Sequence, residues 1–400
     1  MIKTKNTLLL YLMCFVIFFE HINYFMHTCF KILHFPSVYT TRLMLLLYGL
    51  AFIFVVIKRI TKAAPALLVP LIISVLYVVT MLLLEDNFHY VSEAINEKLF
   101  LYGIPTYIVI YVMDDFDEID TVLSKYCLLI LFSYSLAIFL ERFYPSYFVE
   151  TDYQGISYGL LIPFVYYTCR RSRKTTDYFI VGFTMILLIF FGGRGPIICA
   201  LLTLIYKLFE RADENKFLII IIGVVIFLLL TYYESILGQI VRISEKYDFS
   251  GSIIKYYEMG DIFSDSGRNN IQDISKKIIG DYPLFGCGLG ADRYYLGKYG
   301  FKYGNYPHNM ILELCIHYGV IVGAALFITI LIGIFKSFAN RKRNTGAYII
   351  FEICCLSTGF AVLLFSSSYL TSQLFFAMLA VMLKFRGGKS YEKIRNSDLS

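Results

Sequence analysis

The sequence predicts an all-α fold, a polytopic transmembrane helical bundle of about 12 spans with a large extracytoplasmic loop between spans 9 and 10. Three observations predict it. Apolar residues make up 58% of the 400 and charged residues only 16%, where a soluble globular chain is about a quarter charged. The apolar residues gather into repeated runs long enough to cross a bilayer. Basic residues, finally, are dense in every second segment between those runs.

The first run follows Lys3 and Lys5 with no small-residue cleavage site after it, so it reads as a retained span and not a removed signal peptide. Spans are expected near 7–25, 39–57, 64–84, 97–113, 122–140, 155–169, 177–193, 195–209, 217–233, 314–335, 347–365 and 369–385. Unpaired amides in hydrocarbon cost several kcal/mol each, so all of these runs must be helical. With Trp absent and 34 Tyr and 36 Phe present, interfacial aromatic belts would be built largely from Tyr.

Orientation follows from the basic residues. With the N-terminus inside, the inner segments hold 22 of the 36 Lys and Arg, the short outer segments five, and one long outer loop nine. Long loops translocate largely regardless of charge, so the useful comparison is 22 against five. Both termini are then cytoplasmic. The net charge of +6 is mostly this orientation signal, and no basic domain exists to bind nucleic acid. Nine scattered cysteines form no C-x-x-C pair and give no disulfide framework or zinc site.

Four segments result: 1–233 with spans 1–9, 234–307 as an extracytoplasmic loop, 308–385 with spans 10–12, and 386–400 as a basic cytoplasmic tail. The loop carries nine acidic residues against its nine basic ones and has patterned apolar stretches. Ile271, Ile274, Ile278 and Ile279 share one helical face opposite Asp273, Lys276 and Lys277, which predicts an amphipathic interfacial helix capped by Asp265 or Ser266.

Three places hold polar residues suited to chemistry. Gly192-Gly193-Arg194-Gly195-Pro196 is a tight turn that holds Arg194 near the outer interface. There it meets an anionic substrate or snorkels to lipid headgroups. Arg268, at the start of the amphipathic helix, sits where free amides favour an anion, unless it is a solvated turn residue. The third place runs from Asp281 to Gly323. Gly286, Gly288 and Gly290 mark a tight backbone path close to a ligand or to the following helix, with no strand to support a dinucleotide fold. His308, beside Asn309, can serve as a general base towards a sugar hydroxyl or be structural. Glu313 and His317, four apart, form too small a set for a metal and read as a polar pair. Arginines and one histidine on the same side suit a diphosphate leaving group and an attacking hydroxyl. A glycosidase would need two carboxylates at a set separation, which nothing here specifies.

Ser266-Gly267-Arg268, then Pro283-Leu284-Phe285-Gly286-x-Gly288-x-Gly290, then His308-Asn309, with Gly193-Arg194-Gly195 before them, resemble the O-antigen polymerase and O-antigen ligase superfamily over roughly 190–330. Two departures stand out: Gly319 and Gly323 are separated by three residues where the family commonly has two, and Gln272 stands where an aromatic is usual. The resemblance implies an inverting, metal-independent glycosyl transfer from an undecaprenyl-diphosphate-linked oligosaccharide, with no cofactor. Arg194 and Arg268 would hold the diphosphate, His308 would position or deprotonate the acceptor, and Asn309 and the three glycines would line the substrate. Expected partners are that lipid-linked glycan, membrane lipid, and a flippase and chain-length regulator of the same pathway. The product would be O-antigen or a capsular polysaccharide or exopolysaccharide.

Polymerase and ligase share these motifs; no dedicated second acceptor is evident in the loop, which favours a polymerase. The reading from another class is a transporter of lipid-linked sugars. Transporters place ionisable groups near the midplane, often in repeated units. Here Glu20, His21 and Glu352 lie within reach of span ends and no internal repeat is visible.

Overall fold

The computed structural model of the chain describes residues 2–33, 36–143, 153–170, 174–191, 193–211, 238–239, 241–243, 246, 268–339 and 345–385. Among the described residues there is no strand. The helices are α1 (Ile2–Ile17), α2 (Phe19–Ile32), α3 (Ser37–Lys58), α4 (Ala63–Ala66), α5 (Leu68–Leu84), α6 (His89–Asn96), α7 (Ile104–Val112) and α8 (Ile119–Phe143). They continue as α9 (Tyr153–Cys169), α10 (Thr175–Phe191), α11 (Arg194–Arg211), α12 (Arg268–Asp281), α13 (Asp292–Lys298), α14 (Met310–Ala339), α15 (Thr345–Leu356) and α16 (Gln373–Phe385). Five helical stretches among the described residues are long and apolar enough to cross a membrane, or six if α1 and α2 make one span, so the chain is a multi-pass membrane protein. The span expected at 217–233 and the caps expected at Asp265 and Ser266 lie outside the described residues.

Four expected spans are less regular than hydropathy implied. The run at 7–25 is broken at Phe18, where α1 and α2 meet at 78°. A helix end leaves carbonyls without partners, and the buried Gln373 amide donates to one of them, Val16 O, at 2.7 Å and to Thr106 Oγ1 at 2.8 Å. The run at 97–113 begins as a π-helix, Glu97–Gly103. The Tyr102 hydroxyl donates to Glu97 Oε1 across five residues, the hydrogen-bond spacing of that helix. The run at 347–365 stops being α-helical at Leu356 and continues through turns and the 3₁₀ segment Ala361–Leu364.

The fourth is α14, expected as a span at 314–335. It breaks at Gly319, whose φ of 79° and ψ of 167° lie outside helical space. The amides and carbonyls released there are recovered by the preceding loop, as burial away from water requires. Cys287 N–H donates to Ile316 O at 2.7 Å, Gly288 N–H to His317 O at 3.2 Å, and Val320 N–H to Pro283 O at 2.8 Å.

The described residues fall into two compact units. The first takes Met1–Phe19, Leu46–Val122 and Ser266–Ser400. In it α7 and α16 pack tightly, with a Cβ at Gly103 placed only 2.6 Å from the Phe376 ring. The loop before α14 is seated on α6: Tyr303 stacks on Tyr90 with centroids 3.8 Å apart, and Gly290 abuts Val91 and Ile95. The amphipathic pattern of α12 holds, with Ile271 and Ile278 buried and Asp273, Lys276 and Lys277 exposed. The helix packs against α13 and α14.

The second unit takes Glu20–Leu45 and Leu123–Asp265. There α9 packs on α10 and α11, as short connections between antiparallel neighbours dictate. Lys207, in the last turns of α11, donates to the Cys169 carbonyl at the end of α9 at 2.9 Å, and Arg170 lies 3.6 Å from Asp177 at the start of α10. These contacts bring the C-terminal ends of α9 and α11 and the N-terminal end of α10 together, the up-and-down order expected of consecutive spans.

Candidate functional site

His308 sits just before α14 with a φ of 54°. A side chain with a Cβ takes that left-handed conformation only when its surroundings hold it there, a form of strain that gathers at functional sites. Two contacts hold it. Nδ1–H donates to the Ser366 carbonyl at 2.7 Å, and the Tyr306 ring lies against the imidazole with centroids 4.2 Å apart. Among the described residues Nε2 makes no hydrogen bond. Burial pushes the imidazole pKa below its ordinary value; the Ser366 carbonyl opposes this, while the nearby Arg268 and Arg293 charges lower it further. The ring is therefore neutral near pH 7, with a lone pair on Nε2 available to accept a proton.

Arg268 opens α12 and is partly buried. One of its N–H groups donates to the Phe365 carbonyl at 3.1 Å. Among the described residues the guanidinium has no carboxylate partner, so most of its fork of donors is available to an anion.

Asn309 has a structural task. Its Oδ1 accepts from Ile311 N–H at 2.9 Å and Leu312 N–H at 3.2 Å, capping α14. The three glycines take φ values of 70°, 100° and 80°. A Cβ on Gly286 would lie 2.5 Å from the Ile316 carbonyl, and one on Gly288 2.5 Å from Thr80 Oγ1. Close approach to the following helix has contacts behind it at Gly286; Gly288 instead approaches Thr80 of α5, and Gly290 approaches Val91 and Ile95 of α6. Arg194 begins α11 in the second unit with Pro196 in the same first turn, as expected; its side chain lies outside the described residues.

Beside His308 is a cluster that the sequence reading missed. Arg293 is 1% exposed and donates to the Asp292 carboxylate, to Glu313 Oε1 at 2.8 Å and to Ser368 Oγ. His317 Nε2 lies 2.6 Å from Asp292 Oδ1, and its Nδ1 lies 2.7 Å from the Tyr369 hydroxyl. Burial alone would raise the Asp292 pKa, yet the charges and hydrogen bonds of Arg293 and His317 outweigh it and hold the carboxyl low, at about 2. Glu313 and His317 therefore do not form the simple pair expected of their spacing; each takes its partners from α13 and the 366–369 segment. Asp292, Glu313 and His317 have ligand atoms within 4.8 Å of one another, a spacing able to hold a metal ion. In this arrangement the Arg293 guanidinium already supplies the positive charge between the two carboxylates.

A signal for the cluster was present in the sequence. Glu313 and His317 are ionisable residues in an apolar helix, which marks them as requiring partners. Asp292-Arg293 and the Ser366-Ser367-Ser368 run are the polar interruptions that supply them.

No curated protein matches the chain significantly. Residues 178–328 match the family model described as O-antigen ligase, which supports the resemblance of this part of the chain to the O-antigen polymerase and ligase superfamily.

Proposed function

We propose that the chain is a membrane glycosyltransferase that polymerises lipid-linked oligosaccharide repeat units at the outer face of a bacterial cytoplasmic membrane. The observation that carries this reading is the pair His308 and Arg268. One offers an unprotonated Nε2 and the other an unneutralised guanidinium, and both are held by neighbouring carbonyls of one segment. The acceptor sugar hydroxyl would give its proton to His308 Nε2 as its oxygen bonds to the anomeric carbon of the donor. The anomeric carbon–oxygen bond to the diphosphate breaks with inversion. The electron pair leaves on the undecaprenyl diphosphate, whose charge Arg268 stabilises. The role in diphosphate binding expected of Arg194 predicts that Arg194→Ala inserts normally yet loses long-chain polysaccharide, read from its length distribution.

The family description favours a second reading, ligase-type transfer to a different acceptor, through the same residues. Both are tested by the length distribution of surface polysaccharide in a deletion strain complemented with wild type or His308→Ala at equal membrane levels. Removing a general base costs about 10²- to 10⁴-fold in rate. Single repeat units with the mutant indicate lost polymerisation. Long chains retained on the carrier lipid indicate lost ligation, and an unchanged ladder overturns both.

A further inference from the structure

The segment Phe365–Tyr369 lies outside the matched family segment and carries none of the residues expected to act. Two of its successive carbonyls nevertheless hold both candidate catalytic side chains. Phe365 O accepts from Arg268 at 3.1 Å, and Ser366 O accepts from His308 Nδ1–H at 2.7 Å and from the Tyr306 hydroxyl at 3.3 Å. A carbonyl can orient an imidazole only if its own peptide unit is fixed; no regular helix fixes this one, and the turn bonds from Ser366 N–H and Ser367 N–H to Val362 O, at 2.9 and 3.4 Å, tie it down from its N-terminal side only.

Ser368 ties down the other side, from two residues away. Its hydroxyl accepts from Arg293 and donates to Glu313 Oε1, and the adjacent Tyr369 N–H donates to Glu313 Oε2 at 3.3 Å. Arg293 and Glu313 are bound to one another at 2.8 Å, and Arg293 is bound to Asp292 as well. All four side chains, from Asp292 and Arg293 to Glu313 and Ser368, are buried. Arg293 also lies beneath the Tyr306 ring, 5.4 Å from its centroid, and Tyr306 flanks His308. Buried ionic groups satisfied this completely are rigid, because any loosened member leaves another unpaired in a medium of low polarity.

We propose that Arg293, Glu313 and Ser368 are positioning residues: they lock the Phe365–Tyr369 segment so that the Ser366 carbonyl fixes His308 as its Nδ1–H tautomer, leaving Nε2 to take the acceptor proton. The use made of Nε2 rests on the glycosyl-transfer reading; the tautomer and its cause do not. A partner on one ring nitrogen determines which nitrogen carries the proton. When the partner drifts, the population divides between tautomers and only one of them can act as base. The charged and titratable groups facing His308 are Arg268 from α12, Arg293 from α13 and Tyr306 from the loop, and Ser368→Ala leaves all three in place.

The test is ¹⁵N spectroscopy of histidine-labelled full-length protein in lipid nanodiscs, with the His308 signals assigned by their loss in His308→Gln. Wild type is expected to show a single Nδ1-protonated tautomer with Nε2 unprotonated. In Ser368→Ala, and in the isosteric Glu313→Gln, the two tautomers are expected to mix. Long-chain polysaccharide in cells should then fall on the order of tenfold, the usual effect of removing a second layer of support. An Nε2-protonated His308 in wild type overturns the proposal on one spectrum, whether or not either variant folds. An unchanged single tautomer in both folded variants overturns it too. Mixed tautomers with an undiminished polysaccharide ladder would confirm the positioning and remove the glycosyl-transfer role of His308, so the two failures are distinguishable.

Discussion

Two groups of ionisable side chains lie side by side in the first unit, and they differ in what they leave unfilled. Arg293, Asp292, Glu313 and His317 are fully buried and use their hydrogen-bonding capacity on one another. Arg268 and His308 are only partly buried and each spends a single donor on a backbone carbonyl. The first group resembles a structural strut and the second a site that is waiting for a ligand. An Arg flanked by carboxylates has its charge already matched, whereas one flanked by a carbonyl keeps it available to a phosphate. Charge and residue type alone would rank Arg293 and Arg268 as equals; their partners separate them.

The comparison breaks most visibly if the two arginines respond alike to removal. Arg293→Met leaves Glu313 buried without a counter-charge and Asp292 with His317 alone, and breaking a buried pair in this way costs about 3–5 kcal/mol. The expected outcome is a large drop in thermal unfolding temperature in detergent, or loss of the protein from the membrane. Arg268→Ala gives up one hydrogen bond, about 1 kcal/mol, so the protein should accumulate normally while long-chain polysaccharide disappears. Arg268→Lys should restore it only in part, since an ammonium cannot form the paired contacts of a guanidinium. Equal destabilisation by both changes would place Arg268 in the strut.

The contrast also explains what could be read in advance. The amphipathic face of α12, the all-helical class and the tight packing of Gly286 and Gly288 were legible because each depends on local periodicity or on a residue that only a close approach requires. His308 and Arg268 were singled out through the resemblance, and the chemistry proposed for them comes from residue type. The break at Phe18, the early stop of α15 at Leu356 and the partners of Arg293 were not. Hydropathy averages over a window and cannot register a single unwound residue. The partner of Arg293 at Ser368 is 75 residues away, joined by the fold and by no pattern in the chain.

Gly319 is the next place to test the comparison, because the strut depends on the break in α14 that presents Glu313 and His317 to α13. A Cβ there would press on the Leu284 carbonyl, and the φ of 79° disfavours any L side chain. Gly319→Ala is expected to destabilise by about 1–3 kcal/mol, seen as a lower unfolding temperature. Gly182→Ala, in the second unit with open space around its Cβ position, serves as the control and should be silent. If Gly319→Ala is silent too, the loop at 283–288 does not depend on that break.

The smallest expected effect is also the most specific to the ligand-ready pair. Burial lowers the His308 pKa and the Arg268 charge lowers it further, so the neutral ring persists to more acidic pH than that of a free imidazole. Arg268→Gln removes one of the lowering influences and leaves burial, Arg293 and the Ser366 carbonyl in place. The His308 pKa should therefore rise, and the midpoint of its protonation, followed by ¹⁵N shifts in nanodiscs without substrate, should move to higher pH. Activity, where measurable, should lose its acidic limb at that same higher pH, because the base is lost as soon as it is protonated. A midpoint that does not move would mean that the guanidinium is screened from the imidazole. Arg268 could then still bind an anion, but it would no longer help to keep the neighbouring base unprotonated.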